Sequence, residues 1–562
     1  MTGTGLEKKG SISKDNEQEE DIMDFVGGEG PWQRWLFLII ITCSIPDAGH
    51  NFAMSFLAPN LDHWCARPPD FNVSIEEWKA VALPPNDKHC SRYKYLNISD
   101  FHQDHFKHNF AEKETIRCDS WEYDTSVYYT TVLSEWDLVC DREWLVSMSK
   151  SIFLAGYFIS STLFSYLADK YGRRLIIAVS NVIALISAII CIFSTSFLMF
   201  AVCRFFIAVG VTAADNTAFV LTMEIMSPKY RSDYGIGTYF GWSIGYLILP
   251  LFAWLLRDWL WIHIVITLPC FFLLSTWWLL PESPRWLLSQ GRHEEALEVL
   301  SKAAKANGVD LNEAEAKLKE VILKLEKEQA LETEHSNGNV LQLLKPGMWQ
   351  KTLIVLYLWS IISFVYYGIS YNTNELAGDP FLNFAAYGII EVPAYIVLIF
   401  VMRSKGRRNP LAFSLVASGT ACLLLYPIPE DPWWASTAVS LFGKFCIACS
   451  FSIVYVCTAE IFPTTVRNVG LGTASVSARI GSIIAPFVRE LGKATHGVVP
   501  QIIFGVLAGT GGLLALLLPE MTNRSVPDTL KEAAELSRKT CSKTKTDTKL
   551  AMQDLNKVKE KD

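Results

Sequence analysis

The sequence predicts an all-α membrane protein. Twelve transmembrane helices form two six-helix halves that repeat one another, with a large extracellular loop between the first helix and the second. Three observations lead there. Of 562 residues, 50% are hydrophobic and only 19% charged, with a mean hydropathy of +0.22; an ordinary soluble protein carries about 25% charged residues. The apolar residues gather into runs long enough to cross a hydrocarbon core, which takes about 20 residues in a helix. Short motifs at the ends of those runs recur at a nearly constant separation.

The runs cover approximately 35–58, 146–167, 174–196, 198–221, 235–256 and 259–280 and, after a polar gap, 351–371, 382–402, 410–427, 434–457, 470–491 and 500–518. The chain divides into an N-terminal tail (1–34), a first half (35–280), a loop between the halves (281–350), a second half (351–519) and a C-terminal tail (520–562). The acidic start of the chain is unlike a cleavable secretory signal.

Lysine and arginine set the orientation. Lys170, Arg173, Arg174, Lys229, Arg231, Arg403, Lys405, Arg407, Arg408 and Arg467 all fall in loops of one face, while 194–196, 372–379 and 429–434 on the other are nearly bare. The basic face is therefore expected to be cytoplasmic, with both termini and 281–350 on that side. Within 281–350, Ala296, Leu297 and Leu300 lie on one side of an amphipathic helix. The opposite face owns the loop at about 59–145. It holds Cys65, Cys90, Cys118 and Cys140, enough for two disulfides of open pairing. It also holds two N-glycosylation sequons, at Asn72 and Asn97.

The repeat is visible residue by residue. Glu224-Ile225-Met226-Ser227-Pro228-Lys229-Tyr230-Arg231 follows the fourth run, and Glu460-Ile461-Phe462-Pro463-Thr464-Thr465-Val466-Arg467 follows the tenth. A separation of 236 residues divides both the glutamates and the arginines. Gly172-Arg173-Arg174 returns as Gly406-Arg407-Arg408 after 234, and Leu280-Pro281-Glu282 as Leu518-Pro519-Glu520 after 238. Two parallel repeats around a midplane site describe a secondary transporter whose halves rock.

Charges within spans cost about 2.5–3.5 kcal/mol each on insertion scales and need a reason. Asp47, Asp215, Glu391, Lys444 and Arg479 stand out. Some of them could serve as structural ion pairs, and Lys444 could snorkel; for Arg204 a structural role is favoured over ligand contact. Arg479 sits among small residues (Ser477, Ala478, Gly481, Ser482) that let helices approach, and its guanidinium matches a carboxylate. Three acids against Arg479 and Lys444 suit a substrate with an amine: Asp215 or Glu391 would take the amine and Arg479 an acid end. Tyr239, Trp242, Tyr246, Tyr366 and Tyr367 can offer ring faces to a quaternary ammonium, although Trp and Tyr also form interfacial belts. The gate residues are Asp169, Gly172, Arg173, Glu224, Arg231, Glu460 and Arg467. Gly172 permits a tight turn, Asp169 is placed to cap the following helix and pair with an arginine, and the rest suit an acid–arginine network.

These motifs resemble the major facilitator superfamily and, more narrowly, solute carrier family 22, the organic cation, carnitine and organic anion transporters. The resemblance rests on Ser134-Glu135-Trp136-Asp137-Leu138-Val139-Cys140, Asp169-Lys170-Tyr171-Gly172-Arg173-Arg174, Pro281-Glu282-Ser283-Pro284-Arg285-Trp286, Glu391-Val392-Pro393-Ala394-Tyr395 and Thr458-Ala459-Glu460-Ile461-Phe462-Pro463-Thr464. It covers all but the tails and is closest to the organic cation and carnitine members. It implies the major facilitator fold. It also implies that Arg479 stands where anion and carnitine carriers hold an arginine, and Tyr395 where anion carriers hold a lysine. Asp215 replaces an aromatic pocket residue. Arg403 stands at the acid position before Gly406, which puts an Asp–Arg clasp in the second half in doubt.

The expected function is plasma-membrane secondary transport of small organic cations or zwitterions, carnitine-like or amine solutes, by alternating access. An organic anion exchanger using Arg479 is the alternative, and a non-transporting receptor is disfavoured. A net charge of −7 offers nucleic acid no basic field. No phosphate-cradling Gly-x-x-x-x-Gly-Lys loop or nucleophile–base set points to an enzyme, and no metal or cofactor is expected. A coupling ion, Na⁺ or H⁺, and the oligomeric state are left open. Partners are the solute and the lipid bilayer.

Overall fold

The computed structural model describes residues 21–69, 73–94, 114–310, 316, 319, 340–373, 376, 378–428, 433–463 and 466–520. Among these, ten helices are long and apolar enough to cross a membrane. In the first half they are Pro31–Leu57, Cys140–Tyr171, Arg173–Ile192, Phe197–Ile225, Asp233–Leu256 and Trp259–Leu279. In the second half they are Trp349–Tyr371, Pro380–Met402, Trp434–Ile461 and Val469–Ala494. Two shorter helices, Arg408–Leu424 and Val499–Ala515, complete twelve. They occupy the places of the twelve apolar runs and are numbered first to twelfth below.

Local chemistry explains where the helices begin. Ser196 accepts from the Met199 amide ahead of the fourth helix. Asp258 accepts from the Leu260 and Trp261 amides ahead of the sixth, and Asp379 from Phe381 and Leu382 ahead of the eighth, where Pro380 fits the first turn. Prolines sit inside the fifth, sixth and eighth helices at Pro250, Pro269 and Pro393. The second helix carries a π turn at Ser160–Phe164, an extra residue within the helical ladder.

The loop between the first and second helices is a small folded unit. His63–Cys65 pairs antiparallel with Trp121–Tyr123, and Ser91–Tyr93 with Thr115–Arg117. Ser74 and Glu77 cap the helix Ile75–Val81 reciprocally, and Trp78 is fully buried. The open pairing is resolved as Cys65–Cys118 and Cys90–Cys140. Asn72 and Asn97 lie outside the described residues. Cys446 and Cys449, spaced as a C-x-x-C pair, are free thiols buried in the tenth helix.

The expected amphipathic helix is His293–Asn307, with Ala296 and Leu300 fully buried and Leu297 packed beside them. Its apolar side meets Trp286, Leu287 and Leu288 of the helix Pro284–Ser289 and Ile22, Met23 and Val26 of the N-terminal tail. Asn307 ties the group to the first helix, accepting from the Trp32 amide and donating to the Val26 carbonyl. The part of the N-terminal tail just before the first helix is thus packed against these helices.

Candidate substrate site and gates

Asp47 and Asp215 lie on the first and fourth helices, and each is met by a hydroxyl from the other helix. Thr212 donates to Asp47 at 3.1 Å, and Ser44 donates to Asp215. Ser44 and Asp47 are three residues apart, as are Thr212 and Asp215, so the two contacts form crossed rungs one helical turn apart. Tyr157 of the second helix also donates to Asp47, at 2.5 Å, and Asn51 donates to the Tyr157 hydroxyl at 2.8 Å. Among the described residues neither acid has a basic side chain within ion-pair distance. Asp47 is buried, 2% exposed, while Asp215 is half-buried.

Arg479 enters from the eleventh helix, in the other half. Its guanidinium lies 5.1 Å from the centre of the Tyr157 ring, within electrostatic reach of both acids. Its Nε is buried with no hydrogen-bond partner among the described residues. The small residues beside it do what their size allows. Gly481 meets the Ser360 carbonyl so closely that a Cβ would stand 2.1 Å from it, and Ser360 donates to the Ser477 carbonyl.

Glu391 and Lys444 are not free to greet a solute. Both are fully buried, and they pair at 2.8 Å. Tyr366 donates to Glu391 at 2.6 Å and Tyr395 at 3.4 Å. Lys444 donates to Ser370 at 2.7 Å and lies over Tyr366. Lys444 is thus paired inside the bundle instead of reaching toward an interface. Arg204, fully buried, donates to the His50 carbonyl at 3.1 Å and sits over the Phe153 ring at 4.4 Å.

The aromatic candidates separate in the same way. Tyr239 of the first half stacks on Tyr395 of the second, centroids 5.3 Å apart, and both are half-buried. Trp242 is half-buried, edge-on to Phe52 at 5.9 Å. Tyr246, fully buried, stacks on Phe384 across the halves at 4.5 Å. Tyr366 and Tyr367 are buried against each other at 5.4 Å.

The repeated motifs build the same device twice. At the start of the third helix, Gly172 adopts φ +101°, a conformation that favours glycine, and Glu282 accepts from the Arg173 and Arg174 amides. At the start of the ninth, Gly406 adopts φ +81°, and Glu520 accepts from the Arg407 and Arg408 amides. Arg173 pairs with Glu224 at 2.9 Å and Arg407 with Glu460 at 3.1 Å. Asp169 does not cap the third helix, because Glu282 takes those amides; it pairs with Arg173 at 2.8 Å instead. The doubt raised by Arg403 is answered by Glu460, which holds Arg407 without an aspartate. Arg231 pairs not with Glu224 but with Asp21 of the tail, which Arg285 also reaches. Burial and the neighbouring Arg285 lower the Arg231 pKa. Arg467 Nε is buried without a partner among the described residues.

On the face that bears the disulfide loop, by contrast, the halves touch. Ser147 donates to Glu490 at 2.7 Å, Ser151 to the Ile483 carbonyl at 2.6 Å and Arg489 to Asn60 at 2.5 Å. Lys493 pairs with Glu143, and Phe56 stacks on Phe381 at 5.6 Å. The two halves are thus in direct contact at the loop-bearing face. Among the described residues, no ion pair of the basic face joins the first half to the second.

Sequence reasoning missed Ser44, Thr212 and Tyr157 around the acids, and Asp21 and the capping glutamates. The Leu-Pro-Glu repeat marked Glu282 and Glu520 as special without revealing what they bind.

Comparison with known proteins agrees with this architecture. Residues 95–530 match the family model "Sugar (and other) transporter". The chain is 33% identical to the organic cation transporter protein of Drosophila melanogaster, over 92% of this chain and 95% of that one. It is 33% identical to mouse solute carrier family 22 member 4, over 94% and 96%, and 32% identical to human organic cation/carnitine transporter 2, over 94% and 96%. The xylose transporter XylE of E. coli in its inward open conformation shares the fold at 15% identity, TM-score 0.59, over 88% of this chain and 98% of that one. A duplicated helical bundle, and relatives matched over nearly their whole length, place the chain among membrane transporters rather than enzymes: it belongs to the sugar (and other) transporter family, in the solute carrier 22 group of the major facilitator superfamily.

Proposed function

We propose that this protein carries small organic cations, including zwitterions with a carboxylate, across the plasma membrane by alternating access. The observation that carries the reading is the pair Asp47 and Asp215, held by hydroxyl donors rather than by cations, facing Arg479 across the two halves. A carboxylate whose donors are neutral keeps its charge available for a cationic guest. Asp215, half-buried, is the one within a solute's reach, and Arg479 would take the carboxylate of a zwitterion. Tyr239 and Trp242, also half-buried, offer ring faces beside it. The names of the relatives, organic cation and carnitine transporters, support the same substrate class.

In this reading the loop-bearing face is extracellular and the basic face, with both termini, cytoplasmic, so the halves meet at the outer face. A monovalent cation entering through 100 mV gains about 2.3 kcal/mol, enough for roughly 50-fold accumulation. A net-neutral zwitterion gains nothing and needs Na⁺, H⁺ or exchange, for which Asp47 and Asp215 are the proposed positions.

Uptake of labelled tetraethylammonium, carnitine and p-aminohippurate into oocytes, with and without Na⁺ and with current recorded, tests the proposal. Saturable, current-carrying tetraethylammonium uptake lost in Asp215→Asn, and carnitine uptake lost in Arg479→Ala, are expected. Uptake of p-aminohippurate alone would refute it.

A further inference from the structure

Lys444 and the groups around it make a complete cation site that is already full. The ammonium rests against the Glu391 carboxylate at 2.8 Å and donates to Ser370 at 2.7 Å. It stands 3.4 Å above the centre of the Tyr366 ring, with the Tyr246 ring at 5.6 Å on another side. One carboxylate, one hydroxyl and two ring faces within about 6 Å are what a desolvated organic ammonium asks for. Glu391 is held in turn by the Tyr366 and Tyr395 hydroxyls. The cage draws on both halves, since Tyr246 belongs to the fifth helix and the rest to the seventh, eighth and tenth.

We propose that Lys444 is a specificity-determining residue: a tethered ammonium that occupies the Glu391 cage, bars solute amines from it and so confines the solute's charge to Asp215. The inference rests on the reading of this protein as an organic cation carrier. The side chain of Lys444 is in effect a primary alkylammonium anchored at Cα. Cutting it back to Cβ leaves a cavity of that shape, lined by an uncompensated carboxylate, that fits ethylammonium or propylammonium.

The experiment uses the full-length protein, purified and expressed in oocytes, with ethylammonium chloride as probe and equal sodium chloride as control. In Lys444→Ala, tetraethylammonium uptake falls about tenfold or more, the scale of breaking a charged hydrogen-bonded contact, and millimolar ethylammonium restores most of it. Thermal stability of the same variant rises saturably with ethylammonium, while wild type does not respond. Lys444→Met, which fills the space without the charge, gives no rescue, and neither does Lys444→Ala with Glu391→Gln. Equal responses in Lys444→Ala and Lys444→Met, or none in Lys444→Ala, would overturn the proposal. So would a Lys444→Ala protein that fails to accumulate even with ethylammonium in the medium while Lys444→Met with Glu391→Gln accumulates. The thermal readout needs no transported solute, so a cage that responds in a protein carrying no organic cation refutes the transport reading alone.

Discussion

Tyr157 joins the two halves of the molecule at Asp47: its hydroxyl donates to the carboxylate at 2.5 Å, and its ring lies under the guanidinium of Arg479. Asp47 and Arg479 are thus connected through one phenol instead of by a direct ion pair. A direct pair would neutralise both charges before any solute arrived. The phenol orients the acid and leaves the arginine's charge unspent.

Tyr157→Phe keeps the ring beneath Arg479 and removes the donor. A hydrogen bond to a charged group is worth about 1.5–3 kcal/mol, so organic cation uptake should fall about tenfold or more at unchanged surface level. Biotinylation alongside initial-rate uptake checks this, and Thr212→Val should be additive with it only in part, since both donors serve one carboxylate.

Ser147 and Glu490 touch across the halves at the loop-bearing face. Replacing both by cysteine and bridging them with a short bis-methanethiosulfonate, which forms a disulfide to each cysteine, should abolish uptake, and reduction of those disulfides should restore it. Either single cysteine should tolerate the reagent. Retained uptake in the bridged protein would show that the halves need not part there.

Glu282 and Glu520 cap equivalent helices through the same two backbone amides. Glu282→Ala and Glu520→Ala should each cost about 1 kcal/mol, the worth of an N-terminal cap, and thermal unfolding of the purified protein should show similar losses. A much larger loss for Glu282 would reveal a duty beyond the capping geometry it shares with Glu520.

Glu122 in the disulfide-bonded loop offers a pH test. Burial raises its pKa, but the Arg67 amide and guanidinium and the Trp64 indole outweigh it and hold the carboxyl below its ordinary 4.5. A lowered folded pKa means stabilisation present above the ordinary value and lost as pH falls through the lowered one. Protease resistance of the loop should decline on acidification over that range. Glu122→Gln should be weaker at neutral pH and flatter below it.

Much of the architecture was legible because its signals are long. Twelve apolar runs set the helices, and motifs at separations of 234 to 238 residues revealed the duplication. Partners were not legible, because pairing is a property of helix packing. Lys444 and Glu391 were legible as charges that either pair with one another or meet a solute, and only the packed helices show that they pair. Ser44 and Thr212 are small hydroxyls among many, and nothing in their spacing announces that each faces the other helix's acid. Four loop cysteines implied two bridges but not which. Asp21 was one acid in the acidic start of the chain, and only the folded tail shows that Arg231 and Arg285 converge on it.

That convergence ties Asp21 to Arg231 of the first half and to Arg285 of the loop that follows it, while Glu520, bound at the Arg407 and Arg408 amides, is tied to the second half. Small fluorophores attached beside Asp21 and beside Glu520 would therefore ride on opposite halves, and energy transfer between them would follow any rocking of one half against the other.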